Sequence, residues 1–268
     1  MSNIGSWLRG SLKEWLLASL IVFVVLGGTT FYVYPIYYGF DAPGEMVALE
    51  DIGIASSVHF VTVYSGITET IIERYQVELQ LDDEAIFYRL DPYFANYDWD
   101  LLAEYREDTI MNAYDLLLEE AGYEEELESG EELSTRLEEL LANTTEFYGD
   151  SLGLMVAIGL HEELHQYDYS AGGQYVIAGT GTMEEDASVG SIGGLEHKLV
   201  LAEREGVTHF FIPQDEALYE EDSNVVEAAR VARERELSME IIAVSTLAEA
   251  IHYLDRLIGV SGSEEVSL

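Results

Sequence analysis

Residues 15 to 38, WLLASLIVFVVLGGTTFYVYPIYY, contain no charged side chain. At a rise of 1.5 Å per residue, about 20 helical residues cross a hydrocarbon core ~30 Å thick. Trp15 lies at one end of the run and Tyr32, Tyr34, Tyr37 and Tyr38 at the other, where spanning helices carry aromatic belts. Arg9 and Lys13 precede the run and acids dominate the residues beyond it, a bias that places the basic side in the cytoplasm. The segment therefore predicts a retained transmembrane signal anchor over 15–38 with a cytoplasmic stretch 1–14. The remainder is then an extracytoplasmic domain on a single-pass protein of the cell membrane. A cleaved signal peptide fits less well, since the run is long and no convincing small-x-small cleavage site accompanies it. A buried core helix of this length is the other alternative.

The chain has 268 residues, enough for such an anchor and one domain of about 200 residues with a sizeable core. It carries 52 acids against 12 bases, a net charge of −40. A surface that acidic repels phosphate backbones, which argues against nucleic acid as a partner. High charge commonly signals disorder, but 48% hydrophobic residues and 9 Phe with 18 Tyr argue for a packed core. A fold adapted to concentrated salt reconciles the two, because molar salt shortens the Debye length to about 3 Å. Such a chain is expected to lose structure in dilute buffer. There is no cysteine, hence no disulfide, thiol nucleophile or Cys-ligated metal. Lysine is nearly absent: only Lys13 and Lys198 stand against 10 arginines.

Patterning predicts one domain over 45–260. Residues 45 to 92 hold β-rich runs, among them VHFVTVY (58–64) and YQVELQL (75–81). A helix is expected from Leu101 to Gly122, with Ile110, Ala113, Leu116 and Leu117 on one face. The segment 123–140, YEEELESGEELSTRLEEL, is acidic and low in complexity; it predicts a solvated helix or linker without chemistry. Beyond it strands and helices alternate. YVIAGTGT (175–182), VGSI (189–192), VTHFFIP (207–213) and MEIIAVS (239–245) predict strands, and 193–206, 223–236 and 246–257 predict helices. Thr246 and Glu249 have capping-box spacing. The tail 261–268 predicts a frayed end, and the class is α/β with an α+β first part.

GDSLGLMVAIGLHEELH (149–165) carries three hydrolase signatures at once. Gly149, Ser151 and Gly153 match the G-x-S-x-G of a nucleophile elbow, but that turn needs a buried strand before the serine, and LEELLANTTEFY supplies none. The GDSL lipase motif is paired with a later Asp-x-x-His, which does not occur. His161, Glu162 and His165 match H-E-x-x-H, two zinc ligands one helical turn apart with a glutamate base, but no downstream residue singles itself out as third ligand. Two histidines at the favourable C-terminal end of a helix dipole explain the motif equally simply.

What remains is Ser151 at the start of an apolar helix, entered through Gly149 and Asp150, where backbone N–H groups can receive an oxyanion. Leu195, Lys198, Leu199 and Ala202 fall on one helical stripe, so Lys198 sits on an apolar face that lowers an ammonium pKa. Arginine cannot lose its proton in this way. The residues by themselves leave both readings of Lys198 open, a neutral base or a lysine snorkelling from a helix end.

The stretch GTGTMEEDASVGSIGGLEHKLVLAEREGVTHFFIP resembles the lysine half of Lon-type serine–lysine peptidases, and most of all membrane-anchored Lon-like proteins. The matching residues are Thr180-Gly181, Gly193-Gly194, Leu195, Lys198 and Ile212-Pro213, with Gly149-Asp150-Ser151 lying 47 residues before the lysine. The resemblance implies a Lon-type proteolytic domain behind a single transmembrane helix, with Ser151 as nucleophile, Lys198 as its base and Thr180 as a supporting hydroxyl. Gly149, Asp150, Gly193 and Gly194 would shape the site. It implies an ATP-independent endopeptidase that uses a Ser–Lys dyad on unfolded or extended protein or peptide substrates. No cofactor and no metal would be needed, and a ring-shaped homo-oligomer would suit the family. Leu152 departs from the small residue usual after the serine, no segment of PDZ size lies between the 101–122 helix and Ser151, and no Walker A is present. A zinc metallopeptidase through HEELH and a non-catalytic anchored scaffold are the alternatives.

Overall fold

Residues 209 to 213 are buried at every position, and around this strand the architecture is built. The computed structural model describes residues 12–81, 84–94, 99–122, 130–216 and 223–260. Its six strands are β1 (Tyr38–Ala48), β2 (His59–Thr68), β3 (Ile86–Arg89), β4 (Ile177–Gly179), β5 (His209–Pro213) and β6 (Glu240–Val244), in the sheet order β3-β1-β2-β4-β5-β6. The pairs β2–β4, β4–β5 and β5–β6 are parallel. Parallel neighbours need crossover connections. Helix α6 (Leu195–Arg204) lies in the chain between β4 and β5, and α7 (Asn224–Arg235) between β5 and β6.

The remaining helices are α1 (Leu12–Val33), α2 (Ile71–Gln80), α3 (Trp99–Glu120), α4 (Gly130–Asn143), α5 (Gly153–His165) and α8 (Leu247–Ile258). By contacts the chain divides into two units, one of 1–40 with 65–97 and the other of 41–64 with 98–268. In the larger unit, the period-2 alternation of strand side chains separates two apolar clusters. Ile177 and Phe211 join residues of α3, α5 and α8, whereas Ala178, Phe210 and Ile212 join residues of α6 and α7. Helix α5 is buried from Gly153 through Glu162 and carries much of the first cluster.

In the smaller unit, residues 75–81 are not a strand: they belong to α2 and Leu81, which caps its end. The deciding signal is Thr70 with Glu73. Thr70 Oγ1 accepts from the Glu73 N–H, and the Glu73 carboxylate accepts from the Glu69 N–H at 2.7 Å, a capping arrangement that outweighs β-propensity. The Arg74 guanidinium lies over the rings of Tyr38 and Phe87 at 4.6 and 5.0 Å.

Among the described residues, no helix is long and apolar enough to cross a membrane. The strongly apolar part of α1, Trp15 to Leu26, rises about 18 Å before Gly27, Gly28 and Thr29, short of a ~30 Å core. The transmembrane anchor over 15–38 is therefore corrected, and with it the membrane partner, the single-pass placement and the extracytoplasmic domain. The expected Lon-type domain behind a transmembrane helix gives way to a mixed α/β fold on a six-stranded sheet.

Smaller corrections come from hydrogen bonding and burial. VGSI (189–192) is irregular; its neighbour Ser188 makes one isolated bridge to Thr246, and the Val189 N–H donates to the Ser245 carbonyl at 2.9 Å. Of the acidic segment, 123–129 lies outside the described residues, as do 1–11 and the tail 261–268. The rest belongs to α4, which is no mere solvated helix. Leu133, Leu137, Leu140 and Leu141 pack on the first cluster, and Arg136 pairs with Glu163 of α5 at 3.1 Å.

Candidate functional site

The chain reaches Ser151 through Gly149, whose φ of 83° suits glycine and whose N–H donates to the Leu102 carbonyl at 3.0 Å. The first turn of α5 is then tied down. The Gly153 N–H donates to the Asp150 carbonyl at 3.1 Å, and the Leu154 N–H to the Gly181 carbonyl at 2.9 Å. In return the Gly181 N–H donates to the Ser151 carbonyl at 2.9 Å, and Thr180 Oγ1 donates to the same oxygen at 3.1 Å. Thr180 is itself fixed, because its N–H donates to Phe211 of β5 at 3.0 Å. Gly153 has no room for a side chain: a Cβ there would strike Thr109 Oγ1 and come within 2.7 Å of the Met183 nitrogen.

The helix-start amides expected to be open to an oxyanion are thus partly engaged, at Gly153 and Leu154. Among the described residues, the N–H groups of Ser151 and Leu152 make no backbone hydrogen bond. Leu152 itself is buried in the first apolar cluster, which directs its bulk into the core.

Lys198 comes from the buried face of α6, in company with Leu195, Leu199, Leu201 and Ala202. Gly193 and Gly194 precede the helix. Gly194 occupies the left-handed region at φ 66°, and a Cβ there would meet Val63 Cγ2 at 2.8 Å. The lysine is 3% exposed. Its Nζ lies 2.8 Å from Ser151 Oγ and 2.8 Å from Thr180 Oγ1. Because the Thr180 hydroxyl hydrogen points to the Ser151 carbonyl, its oxygen accepts from Nζ and fixes the amine's orientation. Burial pulls the Lys198 pKa down from 10.5 to about 7, partly opposed by the charge of Asp150. Burial raises the Asp150 carboxyl above the ordinary range, and Glu184 pushes it the same way.

At the other end of α5 the HEELH residues part company. Glu162 points inward, 1% exposed. Its carboxylate accepts from Ser56 Oγ, from the Ser57 N–H at 2.9 Å, from Ser57 Oγ at 2.5 Å and from the Tyr169 N–H at 2.7 Å. It binds two loops to the helix, so the general base of a zinc peptidase is not on offer there. His161 and His165 instead face Glu120, the last residue of α3, with Nε2–Oε1 separations of 3.3 and 3.0 Å. Burial lowers His161 below the usual histidine range against the pull of the Glu120 carboxylate. Glu120, His161 and His165 form a cluster able to hold a metal ion. The third ligand that the H-E-x-x-H reading lacked is Glu120, upstream of the motif, while Glu162 is engaged elsewhere and not available as the base; Glu120 lay beyond sequence reasoning because 41 positions separate it from His161.

No family model matches the chain, and no curated protein matches it. The resemblance to serine–lysine peptidases stands on the matching residues alone.

Proposed function

We propose that the chain is a serine hydrolase of the endopeptidase kind, with Ser151 as nucleophile and Lys198 as its base. The observation that carries this reading is the 2.8 Å contact of a buried lysine, its pKa pulled down by that burial, with a serine hydroxyl. The anchored form expected from the sequence is not retained. Peptide bonds are the substrate class implied by the resemblance of the residues around Lys198 to Lon-type serine–lysine peptidases.

In this reading Thr180 accepts one N–H of the neutral amine, leaving its lone pair for the Ser151 hydroxyl proton. Ser151 Oγ attacks the acyl carbon as its proton passes to Nζ, and the carbonyl oxygen becomes an oxyanion. The N–H of Leu152, the residue after the nucleophile, is the donor placed to receive it, with that of Ser151. The Lys198 ammonium then returns the proton to the departing amine, giving an acyl-serine. Water, deprotonated by Lys198, attacks that ester and releases the acid. A Lys198 pKa of about 7 lets the same group give and take a proton near neutrality.

The test compares the native chain with Lys198→Arg in about 2 M KCl, a salt at which surface charge is screened to about 3 Å or less. Two readouts apply, cleavage of a fluorescently labelled unfolded protein and covalent labelling of Ser151 by a fluorophosphonate. The native chain is expected to show both, with rates rising through pH 7 as the amine is freed. Lys198→Arg keeps a basic side chain that cannot give up its proton and is expected to lose both by about a thousandfold, within the range for removing a general base. Equal rates in the two proteins, or no labelling of the native serine, would overturn the reading; the second result favours a non-catalytic scaffold.

A further inference from the structure

We propose that Glu120, His161 and His165 form a binding site for a zinc-class divalent cation that clasps the end of α3 to the end of α5. This rests on no part of the Ser–Lys reading. His161 and His165 stand one turn apart on α5 with ring centroids 4.4 Å apart. Each places Nε2 at 3.3 Å or less from the same Glu120 oxygen, and the three ligand atoms all lie within 4.8 Å of one another. Ligands at 2.0–2.2 Å around a tetrahedral zinc stand about 3.3 Å apart. Two of the three separations, 3.3 and 3.0 Å, lie close to that value, and the third is no more than 4.8 Å.

The surroundings supply what a ligating histidine needs behind it. His161 Nδ1 lies 2.8 Å from the hydroxyl of buried Tyr169, which leaves Nε2 as the nitrogen facing the cluster. Tyr169 is held in turn by its N–H to Glu162. The glutamate that looks like a zinc peptidase's base thus serves as a support two bonds behind the ligand. The carboxylates of Glu162 and Asp255 also bear electrostatically on His161. Asp255 Oδ1 is buried without a hydrogen-bond partner among the described residues. A cation at the cluster would neutralise this concentration of negative charge.

Two imidazoles and one carboxylate select borderline metals such as Zn²⁺ or Co²⁺, and not Mg²⁺ or Ca²⁺, which prefer all-oxygen sites. Glu120 and His165 are partly exposed, so an ion can enter without the core opening. With three protein ligands one position stays free for water. Glu162 is already committed to Ser56, Ser57 and Tyr169, so the site is a clasp and holds no base for hydrolysis.

The test uses the full chain, dialysed against a chelator and returned to molar KCl. One equivalent of Co²⁺ is expected to give the visible absorption of a tetrahedral N₂O-type site. Zn²⁺ is expected to displace it at a one-to-one ratio and to raise the thermal midpoint, whereas Mg²⁺ does neither. Glu120→Gln and His165→Gln, both at accessible positions, should each weaken zinc binding by at least about tenfold, and Ser151→Ala should leave it unchanged. Featureless Co²⁺ spectra, or zinc affinity identical in the native chain and both variants, would mean adventitious binding to an acidic surface and would overturn the proposal.

Discussion

Replacing Lys198 by methionine should make the protein more stable at pH 7 and leave its stability almost unaltered at pH 9. The side chain keeps its volume and apolar stem and loses its titratable group. In the unfolded chain the amine holds its proton up to the ordinary lysine value of 10.5; in the folded chain it does so only up to about 7. Between those values the unfolded state binds more protons, so native stability climbs with pH across that window and is lowest below it. At 1.36 kcal/mol per pKa unit the burial costs about 4 kcal/mol at pH 7 and about 2 kcal/mol at pH 9. Methionine removes that cost and also the two hydrogen bonds to Ser151 and Thr180, which are worth about 1 kcal/mol each. The net expectation is a gain of about 2 kcal/mol at pH 7 that shrinks to near zero at pH 9. Urea unfolding in molar KCl at both pH values, followed by circular dichroism, measures it. A difference between the two proteins that does not change with pH would show that Lys198 keeps its proton in the folded state. It would remove the neutral base on which the proposed chemistry depends.

Two structural predictions accompany it. Gly194→Ala forces a side chain into the left-handed region and against Val63, and is expected to lower stability by about 1–3 kcal/mol in the same urea assay. A loss of only a few tenths would mean that the loop before α6 re-forms without that conformation. Glu162→Ala strips the acceptor from Ser56, Ser57 and Tyr169, leaving buried donors unsatisfied, and should cost about 3–5 kcal/mol in thermal or urea unfolding. A loss under about 1 kcal/mol would show that water replaces the carboxylate at no great penalty.

Which parts of this arrangement are legible in the sequence depends on how local their causes are. The apolar stripe of α6 and the glycines before it place Lys198 on the apolar face from sequence alone, because the 3.6-residue period and the turn are written within a dozen residues; whether its amine stays enclosed or snorkels outward is decided by the packing of Ser151 and Thr180 against it. Thr246 and Glu249 announce α8 in the same way. Thr70 and Glu73 announce α2 too, once their spacing is weighed above the β-branched and aromatic residues nearby. The end of β4 is not legible. Thr180 to Thr182 look like strand, yet their backbone groups leave the sheet partly to bond with Ser151 and Gly190. That competition is decided by a segment 30 residues away. Glu120 is invisible for the same reason: nothing near it in the chain distinguishes it from its many acidic neighbours until α3 and α5 are packed. The apolar run 15–38 misleads in the other direction, since lack of charge alone does not make a spanning helix when glycine and threonine succeed a short greasy core.

The stitching around Ser151 has a consequence for the timing of synthesis. Its hydroxyl meets Lys198 and its carbonyl accepts from the Thr180 hydroxyl, while Thr180 is held in turn by Phe211 of β5. A chain leaving the ribosome displays its serine long before the lysine exists, and longer still before β5 can dock beside β4. Until then the residue is an ordinary alcohol. Any reactivity at this position is therefore born with the finished domain, and the growing chain is shielded from it without a propeptide, an inhibitor or a maturation cut.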